Sequence, residues 1–405
     1  MLDPARYPTV GVGSTPSSVR ISNLALILNS VLGASHPVSR ADVAAELGMT
    51  RSTVSRLVDE LIAGRFLVEG TPVSGLRGRP GVPLMAAPKG LMSLGLEVNA
   101  DRMAAMVVDL TGVVVRSTTM TVDVIAAGPT EALGMLAENA VALLPALPDG
   151  ARIVGAHLAI PALIDRTGTT VVRAPNLGWD GVVPAQHLGP LLDGHDWTFR
   201  ASNDVDCSAL TLLRGPSSEV KERGSFIYVT GEVGIGSSVF IDGRQLTGRH
   251  GWASELGHVC VVSEGGRVCG CGATGCLETV LGLLGLLEET GAPSIDGLVA
   301  MLEDRDERAV GKLSAAARAL GRALGAALNL LDLEQVMLGG HLGTLAPWLL
   351  PDLKDELATR VLWSPHEQID IAIVGQDPTR TALGAAHAAM APLVANPAPW
   401  IDRID

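Results

Sequence analysis

Residues 255–278 read ELGHVCVVSEGGRVCGCGATGCLE, and the reading of the whole chain turns on them. Three of the five cysteines, Cys269, Cys271 and Cys276, fall within eight residues, and His258 stands upstream. Interleaved glycines let the backbone wrap tightly around a small centre. Three thiolates and one imidazole complete a tetrahedral shell with no open position, so the motif predicts a structural Zn2+ rather than a hydrolytic one. A disulfide or free buried thiols are the competing readings. Cys260 competes as a ligand, whereas Cys207, in a helical stretch, reads as core packing.

Outward from this loop, 405 residues suffice for two or three domains. A charged fraction of 18% excludes a largely disordered chain. No apolar run approaches the ~20 residues that span a bilayer, so no membrane partner is expected. The first residues show neither a basic n-region nor an apolar h-region; a cytoplasmic location is therefore expected, and a disulfide disfavoured. The net charge of −13 speaks against nucleic acid until it is divided. Residues 1–88 sum to +2 and the remainder to −15. A weakly basic head on an acidic body points to a nucleic-acid module joined to something else.

The head reads as a winged helix-turn-helix. Leu24, Ile27, Leu28, Val31 and Leu32 recur at helical spacing up to Gly33. Ser39 and Asp42 form a capping-box pattern ahead of a short helix that Gly48 ends. Thr50 caps the next helix, in which Val54, Leu57, Val58 and Leu61 line one face. The first turn and opposite face carry Arg51, Ser52, Thr53, Ser55 and Arg56, residue types that suit a recognition helix in the major groove. A strand over 66–69 leads into a Gly/Pro hairpin whose Arg77 and Arg79 are wing candidates for phosphate or minor-groove contact. Together with Thr50 these eight residues are the candidate DNA contacts. A solvated Arg/Ser face on a generic three-helix module is the plainer reading.

From Lys89 the composition shifts. Strand-like stretches at 92–98, 104–109, 113–115, 153–160, 226–230, 237–241, 335–338 and 369–374 alternate with helical ones at 130–144, 206–213, 278–289 and 308–331. That order predicts α/β layers. The expected organisation is a flexible tail over 1–19, a DNA-binding domain over 20–88 and an α/β domain over 89–405.

His258 followed by CxCGxxGCxE resembles the ROK family of repressors, open reading frames and kinases, and the head resembles its xylose- and N-acetylglucosamine-type repressor branch. The resemblance implies a two-lobed, actin-like (ribonuclease-H-like) sugar-kinase fold with a structural zinc loop. It implies sugar contacts for Asn176, Asn203, Asp204, Glu255, His258 and Glu278, with Asp204 as general base in kinase members. Carboxylates and carboxamides suit that task because they pair with vicinal hydroxyls. Helix capping is the plain alternative for Asn203 and Asp204, and a favourable helix-dipole position for Glu278.

Two turns depart from the kinase pattern. Where kinase members carry Asp-x-Gly-Gly-Thr, this chain has Glu97-Val98-Asn99-Ala100-Asp101; where they carry Gly-Thr-Gly-Ile-Gly, it has Glu232-Val233-Gly234-Ile235-Gly236. Phosphoryl transfer rests on positioning and neutralising the phosphates, so acids in both turns disfavour it. The reading is a non-enzymatic, sugar-responsive regulator, a repressor, acting as a homodimer or dimer of dimers on a palindromic operator. A hexose kinase using Asp204 is the alternative.

Overall fold

Residues 16–34, 36–71, 82–213 and 224–402 are described by a computed structural model. The head comprises α1 (Pro16–Gly33), β1 (Val38–Ser39), α2 (Arg40–Glu46), α3 (Arg51–Ala63), β2 (Leu67–Glu69) and β3 (Pro83–Ala86). Its caps are those the sequence predicts. Ser39 and Asp42 make a reciprocal capping box, and the Thr50 hydroxyl accepts from the Thr53 amide at 3.2 Å. Gly48 takes φ +62° after α2, a conformation that costs other residues energy. Val54, Leu57, Val58 and Leu61 are buried, as their spacing requires. One boundary moves: α1 starts at Pro16, inside the expected tail, because Arg20 anchors its first turns to Glu60 of α3 and to Asp402.

The first lobe runs through β4 (Leu91–Val98), β5 (Arg102–Asp109), β6 (Val114–Thr121), α4 (Val124–Val141) and β7 (Arg152–Ile160). A small sheet of β8 (Leu163–Ile164), β9 (Val171–Ala174) and β10 (Trp179–Val182) follows, then α5 (Gly189–Leu192), β11 (Thr198–Asn203) and α6 (Asp204–Leu212). The second lobe has β12 (Phe226–Gly231), β13 (Ile235–Ile241), β14 (Arg244–Gln245), α7 (Glu278–Leu281), α8 (Leu283–Thr290), α9 (Ile295–Glu303) and α10 (Glu307–Leu331). It ends with β15 (Gln335–Gly340), α11 (His341–Thr344), α12 (Ala346–Arg360) and β16 (Asp370–Ile373), before α13 (Arg380–Ala395) and α14 (Ala398–Ile401).

The two main sheets share one plan. Their strand orders are β6-β5-β4-β7-β11 and β14-β13-β12-β15-β16. In each, an antiparallel meander of three strands is extended by two parallel strands. The β4–β5 and β12–β13 turns therefore occupy equivalent places in the two lobes. The α/β expectation holds, and the internal duplication is new.

Two helical stretches differ from their expected form. The 130–144 stretch is Val124–Val141, broken at Gly128 (φ +70°), since the residue before Pro129 is steered out of the helical region. The 278–289 stretch divides at Gly282, whose ψ of 151° is extended. On α10, periodicity left open whether the Ala/Leu face is core or interface. Leu313, Leu320, Leu324 and Leu328 are buried in the second-lobe core, and Leu330 is exposed.

Head and body share a core. Leu91, Leu110 and Val154 join Leu57, Leu61 and Phe66, as do Met390, Leu393 and Val394 of α13 and Ile401 of α14. Cutting the chain at 88 would expose that face.

Candidate functional site

Between the lobes lies a cavity of about 370 Å³ lined by Asn176, Asn203, Asp204, Glu255, His258 and Glu278. All six candidate sugar contacts converge there, from positions spread over a hundred residues. Asn203 ends β11 and caps α6, its side-chain oxygen accepting from the Val205 amide at 2.9 Å. Its capping role and its place on the cavity wall coexist, because the carboxamide nitrogen remains on the other side and donates to the Ala162 carbonyl at 3.4 Å. Asp204 opens α6. Burial, then the charge of Glu232, pushes its carboxyl up to about 8. Burial, then Asp206 and Glu278, likewise pushes Glu255 up to about 7.

Glu278 sits where metal loop and cavity meet. It accepts from the Ile235 amide at 3.2 Å and lies 3.5 Å from the Cys269 sulfur. Gly234 permits that approach, since a Cβ there would lie 2.2 Å from the Glu278 Oε2. Ser254 stands where the resemblance calls for glycine, and it takes φ +74°. The conformation is retained without the residue that adopts it freely. Its carbonyl accepts from the Ser237 hydroxyl, which fixes the entry to Glu255.

The Nδ1 of His258 and the sulfurs of Cys269, Cys271 and Cys276 gather so that their ligand atoms lie within 4.8 Å of one another. They form a site that can hold a metal ion. His258 Nδ1 is 3.6 Å from the Cys269 sulfur, while its Nε2 faces Glu255 at 4.0 Å. One imidazole thus ties the metal cluster to a cavity acid. Cys260 lies outside the cluster, its thiol directed to the Val262 carbonyl, and Cys207 is buried in α6.

The two turns that depart from the kinase pattern meet across the cleft. Asn99 donates from Nδ2 to Glu232 Oε2 at 2.7 Å, and Arg102 Nη2 lies 3.5 Å from the same oxygen. Arg102 also binds the buried Glu97 through two nitrogens, at 2.9 and 3.1 Å. Side chains of the chain itself fill the junction of the turns.

In the head, Arg51, Ser52 and Arg56 are exposed on α3, with Thr53 and Ser55 half-buried and Thr50 engaged as the cap. Arg56 pairs with Glu60 at 2.6 Å. Arg77 and Arg79 lie outside the described residues. Sequence reasoning missed Arg40, which binds the Ser55 carbonyl at 3.0 Å, Asp59 at 2.7 Å and Glu69 at 3.0 Å, locking α2, α3 and β2 together. It also missed Arg173 and Thr381 on the cavity wall, whose only signal is tertiary.

The ROK family profile matches residues 93–391. The chain belongs to the ROK family. The profile of the IclR helix-turn-helix domain matches residues 21–70, within the head. Relatives include the putative xylose repressor of Caldicellulosiruptor sp. (strain Rt8B.4), 23% identical over 93% of this chain and 97% of that protein. The xylose repressor of Bacillus subtilis (strain 168) is 24% identical over 85% of this chain and 88% of that protein. Among solved structures, a ROK family transcriptional regulator, homolog of E. coli MLC protein, superposes with a TM-score of 0.77 at 24% identity, over 95% of this chain and 99% of that one. A ROK family glucokinase from Streptomyces griseus, in complex with glucose and AMPPNP, gives 0.59 at 21% identity, covering 74% of this chain and 99% of that one. These superpositions agree with the ROK fold already seen in the duplicated sheets. No helix among the described residues is long and apolar enough to cross a membrane.

Proposed function

We propose that this ROK protein is a DNA-binding transcriptional repressor whose operator affinity is set by a sugar held between its lobes. One observation carries the reading: α13 joins the cavity to the core of the helix-turn-helix head. At its start Thr381 lines the cavity and shares a hydrogen bond of 2.8 Å with Ser208 of α6, the helix that Asp204 opens. Near its other end Met390, Leu393 and Val394 pack among head residues. A 16-residue helix is roughly 24 Å long, so a shift of α6 on binding sugar reaches Met390 and the head core along a single helix, with Pro392 in its last turn. The sugar acts to the extent that it binds one arrangement more tightly than the other.

Asn176, Asn203, Asp204, Glu255, His258 and Glu278 supply the paired acceptors and donors that vicinal hydroxyls require. The names of the relatives make xylose the first effector to test. Thr50, Arg51, Ser52, Thr53, Ser55 and Arg56 present the DNA-facing surface, and the sequence adds Arg77 and Arg79 as further candidate contacts. A dimer on a palindromic operator follows from the half-site reach of one recognition helix. The domain reading is a DNA-binding head to residue 88 and the two-lobed sugar domain beyond.

Zinc suits the cluster. A tetrahedron with Zn–S near ~2.3 Å has edges of about 3.8 Å. The Cys271 and Cys276 sulfurs are 3.8 Å apart. When bound, the ion supplies a fixed, charged centre that holds His258 and the loop in place.

The reading is tested by fluorescence anisotropy on an operator selected from random duplexes. Xylose or another sugar of the panel should weaken binding by the wild type. Arg51→Ala should lose operator affinity at least tenfold while retaining sugar binding, because the residue faces outward from the head. Operator binding unchanged by Arg51→Ala would remove α3 as the recognition helix.

A further inference from the structure

Glu232 lies in the β12–β13 turn of the second lobe and Asn99 in the β4–β5 turn of the first, 133 residues away in the chain. Their hydrogen bond crosses the cleft at one end of the cavity, and both residues line it. Arg102 stands between Glu232 and Glu97, so two carboxylates divide one guanidinium. The cluster offers one cation to two carboxylates, and that cation is already committed; burial raises the Glu97 carboxyl, while Glu232 is exposed to the cleft. The field of these groups reaches the α6 end of the cavity: after burial, the charges of Glu232 and Glu97 are among the causes that raise the Asp204 carboxyl. Arg173, the arginine of the lining, is bonded to the Cys271 carbonyl beside the metal loop.

We propose that Glu232, clasped across the cleft by Asn99 and Arg102, is a specificity-determining residue that admits uncharged sugars and rejects ligands bearing a phosphate or carboxylate at that end. The proposal rests on the cavity being the sugar site. A hydroxyl can donate to the Glu232 carboxylate, whereas a phosphate has only acceptors and like charge to offer it. The clasp therefore discriminates by repulsion, with no need for a further attractive contact to the neutral sugar.

The test is isothermal titration of the full-length, metal-loaded protein with xylose, glucose, their 5- and 6-phosphates, and glucuronate. For the wild type, the phosphates and glucuronate should bind at least about 100-fold more weakly than the matching neutral sugar, a ratio of about 2.8 kcal/mol. Glu232→Gln keeps the shape and removes the charge; it should narrow that ratio at least about fivefold. A sugar phosphate that binds the wild type as tightly as its neutral sugar overturns the proposal, and so does a ratio that Glu232→Gln leaves unmoved. A panel in which no sugar, neutral or charged, binds overturns the sugar-pocket reading itself. Glu232 is partly exposed and outside both cores, so the variant folds; a thermal melt beside each titration verifies this.

Discussion

On one wall of the cavity, Glu255 and Glu278 are attached to a loop that His258 and three cysteines draw together; on the other, the Glu232 side chain is held by Asn99 and Arg102. The first wall lies within the second lobe and is local in sequence, all its donors falling between 255 and 278. Metal coordination would make it insensitive to small movements of the lobes, because the free energy of binding is also the free energy of folding the loop. The second wall spans the cleft. A partly exposed ion pair is worth about 0–1 kcal/mol and is screened by salt, so this contact can break and reform at little cost. The difference teaches which side can move: under the proposed sugar reading, the clasp wall is the one free to change and the metal wall is the fixed reference.

The largest expected effect is on the fixed wall. Cys271→Ser, or stripping the metal with a chelator, removes a contribution that in small zinc domains is about 10 kcal/mol. Loop 258–276 should lose its order, and sugar affinity should fall below detection by calorimetry, with a lower thermal midpoint. Unchanged sugar affinity in the stripped protein would break the contrast between the walls.

The clasp wall should respond less. Arg102→Ala leaves Glu97, which is buried, without its cation, at a cost of about 2–3 kcal/mol. Urea denaturation at neutral pH measures it. An unaltered midpoint would show that Glu97 is held neutral and that the pair contributes nothing.

The smallest effect returns to the metal wall. Ser254→Gly relieves a left-handed backbone at a position next to Glu255, for a gain of about 0.5 kcal/mol after the added freedom of glycine in the unfolded chain is offset. The melting temperature of the variant decides. A drop would mean that the serine side chain contributes more than its backbone strain costs.

The helix-turn-helix was legible in the sequence because its signals are local. The Ser39–Asp42 box, the Thr50 cap, Gly48 and the stripe from Val54 to Leu61 each involve residues within two turns of one another. The gathering of His258 with Cys269, Cys271 and Cys276 was legible for the same reason. Helix α1 reaches into the tail expected over 1–19, and one of the partners of its Arg20, Asp402, is 382 residues away. Arg40 went unnoticed since its partners lie on two other elements, Ser55 and Asp59 on α3 and Glu69 on β2.

By itself the sequence determined which atoms each turn and cap can offer, and that the two turns carrying Asn99 and Glu232 had exchanged glycine for polar and acidic side chains. What those side chains do was decided only by the packing of two duplicated sheets, which brings the turns face to face and joins them by a bond across 133 residues. Likewise, nothing in the run of α13 marks it as the link between cavity and head. Its Thr381 meets Ser208 across 173 residues, and its far end enters a core whose other members lie before residue 100, near 110 and 154, or in α14. Short-range spacing specifies hydrogen bonds within a turn; contacts at such separations exist only once burial of the two lobe cores has set where every strand and helix lies.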